Sequence, residues 1–193
     1  MFSGGFKEAI EHSATFPEDS PEDFEVILEW VYTGFLKPPE VIDVVDGVAI
    51  LSHYVYSTYA LADKFGLESL MDRIITAHMK CEAQHNLIAT FNAIETSYNT
   101  TPVGSPLRKY FAWLLFFIIY EGRYSNAEQT WPTESVKKIL KENDDLFSDL
   151  LKLMRENTPG TRFQNPCKSP FCNFHCHKEG EPCIDDGKAL DKA

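Results

Sequence analysis

Apolar side chains recur at Phe24, Ile27, Leu28, Val31 and Tyr32, the spacing that lines one side of an α-helix. Ser20 suits the N-cap and Pro21 the first helical position, while Glu22 and Asp23 place negative charge in the first turn. Gly34 suits the left-handed residue that closes a helix, so a well-bounded core helix is predicted over 20–34. Before it, Phe2, Phe6, Ala9 and Ile10 carry a weaker helical pattern over 2–12, followed by a short extended piece at 13–17. After it, Pro38-Pro39 opens a predicted loop over 37–46, because proline cannot continue a helix. A helix is expected over 47–65, with Tyr54, Val55, Thr58, Tyr59, Ala62 and Phe65 as its apolar stripe, and Gly66 ends it. Periodicity resumes over 67–80 through Leu70, Met71, Ile74, Ile75 and His78, and again over 84–97 through Leu87, Ile88, Phe91 and Ile94.

The loop 99–105 leads to Ser105-Pro106 and a strongly apolar helix over 107–121, closed by Gly122. Residues 123–131 are polar and irregular in pattern. Two short helices follow over 132–142 and 144–156, the second turning Leu146, Phe147, Leu150, Leu151 and Met154 to the core. From 157 onward the pattern gives way to proline, glycine and polar residues, the composition of a linker or flexible tail. The prediction is a mainly α chain, and no internal repeat is visible.

Three stretches carry a more specific signal: FSGGFKEA at 2–9, DFEVILEWVYTG at 23–34 and YALADKFGLESL at 59–70. In this order they resemble the BTB/POZ domain, and most closely the BTB proteins of filamentous fungi. The resemblance implies a partial BTB/POZ domain over 1–83, an α+β remnant, followed by a helical C-terminal extension over 84–156 and a flexible Cys/His-rich tail over 157–193. That family's domain opens with strands and helices that precede the FSGGF-like segment, so the chain is expected to be an N-terminally truncated BTB protein. The family's dimer contacts lie largely in those earlier elements, which leaves homodimerisation by the usual mode uncertain. Phe6-Lys7-Glu8 falls where BTB adaptors of cullin ubiquitin ligases carry a hydrophobic residue, any residue and a glutamate. By this resemblance Phe6 enters a cullin pocket and Glu8 makes polar contacts beside it. Read from the residues alone, the same pair is a core phenylalanine with a solvated glutamate.

Charge narrows the classes further. With 18 basic and 29 acidic residues the formal charge is −11, which argues against non-specific binding to nucleic acid or to an anionic membrane surface. At 44% hydrophobic and 13% aromatic, the 193 residues suffice for a packed core. Met1 is followed by glycines and charges and not by an apolar signal core, so a cytoplasmic or nuclear location is expected. The longest apolar run, YFAWLLFFIIY at 110–120, falls short of the roughly 20 residues that span a bilayer.

Four of the five cysteines stand between Cys167 and Cys183, in NPCKSPFCNFHCHKEGEPC. Cys167, Cys172, His175, His177 and Cys183 are the candidate ligands of one structural zinc ion, with Cys176 beside them, because zinc favours four thiolate or imidazole donors in a tetrahedron. So short a segment has no hydrophobic core to order it instead. The spacing matches no familiar two-knuckle pattern. A reduced tail, or cysteines packed on the helical body around Phe171 and Phe174, are the other readings of the same residues. His53 and His78 lack any neighbouring acid–nucleophile pattern, and no phosphate loop or nucleophile elbow is present, so no catalytic residues are expected. The expected role is a non-enzymatic protein–protein interaction module. A small zinc protein whose tail is the functional part, or a truncated product without activity, are the alternatives.

Overall fold

The computed structural model describes residues 16–17, 19–45, 48–51, 55–121, 128, 131–157, 163–178 and 181–183. Phe6, Glu8 and the helix expected over 2–12 lie outside the described residues. Helix α1 (Pro21–Thr33) is followed by a hairpin of strands β1 (Val41–Val45) and β2 (Val48–Leu51). Helices α2 (Val55–Lys64), α3 (Glu68–His85), α4 (Phe91–Thr100), α5 (Pro106–Glu121), α6 (Thr133–Glu142) and α7 (Asp144–Glu156) come next, and two 3-10 turns at Pro166–Lys168 and Phe171–Phe174 complete the order. The fold is mainly α, as the periodicity predicts.

The caps of α1 are those read from the sequence. Ser20 Oγ accepts from the Asp23 amide at 3.3 Å, and Gly34 closes the helix at φ 69°. The predicted buried face, however, is rotated. Asp23 and Ile27 are buried and Trp30 is half-buried, while Leu28, Val31, Tyr32 and Phe35 are 40%, 56%, 85% and 47% exposed. The cause is a buried hydrogen bond from the Thr58 hydroxyl on α2 to the Asp23 carboxylate, which sets the 23–27–30 row against α2. Phe16, Phe24 and Phe65 form an aromatic trio, with ring centroids 5.5 to 6.1 Å apart, where the chain enters α1.

Residues 37–40 are irregular as predicted, while the hairpin replaces the rest of the loop predicted over 37–46 and the start of the helix predicted over 47–65. Its antiparallel register runs from Val45↔Val48 to Val41↔Leu51, with an irregularity between Val41 and Asp43. The β-branched runs VIDVV and VAI favour extended backbone, and the Asp46-Gly47 dipeptide between them is a strong hairpin signal.

Gly66, at φ 67°, separates α2 from α3. Ten residues of α3 are buried, from Leu70 to Glu82 and on more than one face, which makes it the central helix. It runs five residues beyond the predicted end at 80, and Asn86 stops it in the left-handed region at φ 52°. Consequently the next helix begins later than predicted, at Phe91, where Thr90 Oγ1 caps the Ala93 amide at 3.2 Å. His78, in the periodic row predicted over 67–80, is 2% exposed. Its Nε2 lies 3.1 Å from a Glu82 carboxylate oxygen, and the Tyr110 hydroxyl of α5 donates to the other.

Arg108 fastens α4, α5 and α7 together. Its guanidinium donates to the carbonyls of Tyr98 (2.6 Å) and Thr101 and to the Asp145 carboxylate at 2.8 Å. With α7 held there, Leu146 and Leu150 are buried and Leu153 is partly so, whereas Phe147, Leu151 and Met154 remain 45%, 36% and 54% exposed. The predicted core face of α7 is thus half right.

One hydrophobic cluster takes in Ile27, Tyr59, Leu70, Ile94, Leu115, Leu146 and Phe174. The stretches 1–83, 84–156 and 157–193 therefore all contribute to a single core, and the expectation of a flexible tail is corrected over 163–178. Phe174 is fully buried against Tyr110 and Trp113, and Phe163 packs on Trp113 and Phe116. No helix among the described residues is long and apolar enough to cross a membrane.

Phe174→Ala is expected to destabilise the protein by about 3–5 kcal/mol, lowering Tm by on the order of 10 °C. Tyr32→Ala, at an exposed site, should change stability by less than about 0.5 kcal/mol. Thermal melts of the two variants beside the parent check both expectations.

Candidate metal centre

The C-terminal segment lies in the groove between α3 and α5, and one row of α3 receives it. Asp72, Thr76 and Lys80 follow one another at four-residue spacing, so they share a face. Asp72 Oδ1 accepts the backbone N–H of Cys176 at 2.6 Å. Thr76 Oγ1 lies 2.8 Å from His175 Nε2, and the Lys80 ammonium sits over the Phe171 ring at 5.2 Å. From the other wall, Lys109 Nζ donates to the Asn173 carbonyl at 2.9 Å. With this loop in place Asp72 and Thr76 are 6% and 1% exposed, and the loop that covers them also supplies their hydrogen-bond partners.

Seated in this way, the segment gathers Cys172, His175, His177 and Cys183, whose donor atoms all lie within 4.8 Å of one another. His175 Nδ1 is 3.3 Å from both His177 Nε2 and Cys183 Sγ. Tetrahedral zinc, with bonds of about 2.0–2.3 Å to nitrogen and sulfur, sets its donors about 3.3–3.8 Å apart. The group could hold a metal ion.

The outward nitrogens of the two imidazoles are also occupied. His177 Nδ1 lies 3.1 Å from the Lys178 carbonyl. A carbonyl can only accept, so Nδ1 carries the proton and Nε2 keeps its lone pair toward the cluster. His175 Nε2 is held by Thr76, which turns Nδ1 inward. This is the outer-shell arrangement that orients metal-binding histidines and sets their tautomer.

Four of the five candidate ligands therefore come together, and Cys167 does not. Its thiol is buried in the first 3-10 turn, 7% exposed, with its amide held by Asn165 Oδ1 at 3.1 Å. Burial, reinforced by the Glu82 charge, pushes its pKa up to about 11. Cys167 was a candidate on composition alone; its turn points it into the core and away from the donors. Cys176, between the two histidines, is likewise pushed up to about 12 by burial and then by the Asp72 charge. Thr76 and Asp72 escape sequence reasoning altogether. They stand 99 and 104 residues from the groups they hold, and nothing in the spacing of the tail refers to them.

No protein-family model, curated protein or solved structure matches the chain.

Thr76→Val removes the hydroxyl while keeping the shape, so the affinity of the four-donor group for zinc offered as a probe ion should fall about 10- to 100-fold. Thr76→Ser should retain most of it. Competition against a chromogenic chelator measures both, and the Co²⁺ ligand-field spectrum reports whether His175 still ligates.

Proposed function

We propose that this chain is a non-enzymatic protein-interaction module of BTB/POZ type, cytoplasmic or nuclear, whose C-terminal segment is fastened to the helical core by one structural zinc ion. The observation that carries this reading is the four-donor group of Cys172, His175, His177 and Cys183, with both imidazoles tied from behind by Thr76 and the Lys178 carbonyl. Four protein donors complete a tetrahedron and leave no open position for a substrate, which is the mark of a structural and not a catalytic zinc site. The metal's role is then to secure the turn whose Phe174 fills the core beside Tyr110 and Trp113.

The interaction role draws on α1. Leu28, Val31 and Tyr32 of α1, and Phe35 just beyond its cap, present apolar side chains to solvent, and exposed apolar patches mark protein contacts. The BTB/POZ assignment itself rests on the three motifs at 2–9, 23–34 and 59–70. A cullin ubiquitin ligase is the partner class that Phe6-Lys7-Glu8 implies.

Zinc uptake is expected to reach about one ion per chain, by elemental analysis of protein purified under reducing conditions. Combining Cys172→Ser with His175→Ala should abolish it, and Cys167→Ser should not. Chelation should lower Tm of the parent and leave the double variant unaffected. A chain that binds no zinc with its cysteines reduced refutes the metal half of the proposal.

The adaptor half is tested separately by cullin pull-down. Phe6→Ala or Glu8→Ala should reduce capture, whereas chelation should change it little. Should the parent chain fail to capture a cullin, the adaptor reading is wrong. If capture instead tracks zinc content, the tail is the functional part.

A further inference from the structure

The cysteines of the C-terminal segment fall into two chemical classes. Cys167 is buried and Cys176 half-buried, and neither belongs to the four-donor group. Neither is therefore placed where zinc would hold it as a thiolate, the reactive form. Cys172 is exposed and Cys183 partly so, and their sulfurs lie within 4.8 Å of each other in the donor group. Bound to zinc, these two are deprotonated. The site thus places a solvent-facing thiolate within a short movement of a second one, while the other two thiols of the segment are kept out of the reaction.

The geometry points to a redox-sensitive clasp: a hydroperoxide oxidises Cys172 and Cys183 to a disulfide and releases the zinc. This rests on the structural-zinc reading given above. In the first step the Cys172 thiolate attacks the peroxide, the O–O bond breaks, and a sulfenic acid and hydroxide form. In the second, the Cys183 thiolate attacks the sulfenic sulfur and expels a second hydroxide as the S–S bond forms. Two electrons pass from the sulfurs to the peroxide, and the hydroxides take protons from solvent. Zinc keeps its charge of +2 and loses two of its four ligands. The two imidazoles left are a poor tetrahedral site, so the ion departs. Thioredoxin-type reduction, or a dithiol reagent, returns both thiolates.

Exposure also separates this pair from the core. Phe174 and Cys167 remain enclosed between α3 and α5, so oxidation acts on the rim of the segment, and re-reduced protein can rebind zinc without refolding throughout.

The test uses the full chain, zinc-loaded and free of excess metal, treated with hydrogen peroxide in the presence of a chromogenic zinc indicator. Peptide mapping by mass spectrometry follows. The expected result is zinc release with two thiols lost per ion, a Cys172–Cys183 disulfide, and unmodified Cys81, Cys167 and Cys176. Dithiothreitol with added zinc should then restore the original zinc content. Cys167→Ser and Cys176→Ser variants should release zinc at the parental rate. Zinc retained under peroxide, or release accompanied by a disulfide through Cys167 or Cys176, overturns the clasp while leaving the structural-zinc reading intact. A reduced chain that never takes up zinc overturns both.

Discussion

The seating of a polar row of α3 against the C-terminal segment is the constraint on which the site depends. Asp72 and Thr76 of the central helix are buried once the segment covers them, and their partners are then the Cys176 amide and the His175 ring. A buried acceptor left without a donor costs about 1–3 kcal/mol, more when it is charged. The seated loop thus has its contacts at two adjacent residues satisfied, and the aromatic packing of Phe174 fixes its depth. Once the loop is so placed, its two histidines and two cysteines meet.

The same logic operates deeper in the molecule. Glu82 is 3% exposed, and a carboxylate there is tolerable only with close partners, which His78 and the Tyr110 hydroxyl supply. Because Tyr110 belongs to α5 and also packs on Phe174, this polar contact and the floor of the docking groove share a side chain. Arg108, two residues earlier on α5, ties α4 and α7 to the same helix through carbonyls and the Asp145 carboxylate. Helix α5 is strongly apolar overall, and its two polar anchors set its position relative to α3, α4 and α7. Both walls of the groove are thus fixed by buried polar contacts, with apolar burial supplying most of the stabilisation.

Local signals in the chain proved sufficient where the determining interaction is itself local. Ser20, Pro21 and Gly34 bound α1 because caps act within one turn, and Asn143 at the start of α7 behaves in the same way, accepting from the Leu146 amide at 3.0 Å. Periodicity located the helices but not always the side they bury. In α1 the buried row follows Asp23, a charged residue whose partner Thr58 lies 35 positions away. In α7, Phe147, Leu151 and Met154 have the right period and the wrong face, because Arg108 and Leu150 orient the helix from the other side. The hairpin over Val41–Leu51 was legible in its β-branched runs and Asp-Gly dipeptide, yet helical spacing further along masked it.

The candidate ligands divide on the same principle. Composition and short spacing alone name the thiols and imidazoles able to hold zinc, because ligand chemistry belongs to the side chain, and they confine these groups to a single segment. Which four converge was decided only by the tertiary structure. A 3-10 turn carries Cys167 into the core, and Asp72 and Thr76, about a hundred residues upstream, orient the loop that carries the histidines. Donor type is a property of single residues, whereas donor geometry is a property of the groove that receives them, and that groove exists only when α3 and α5 have packed.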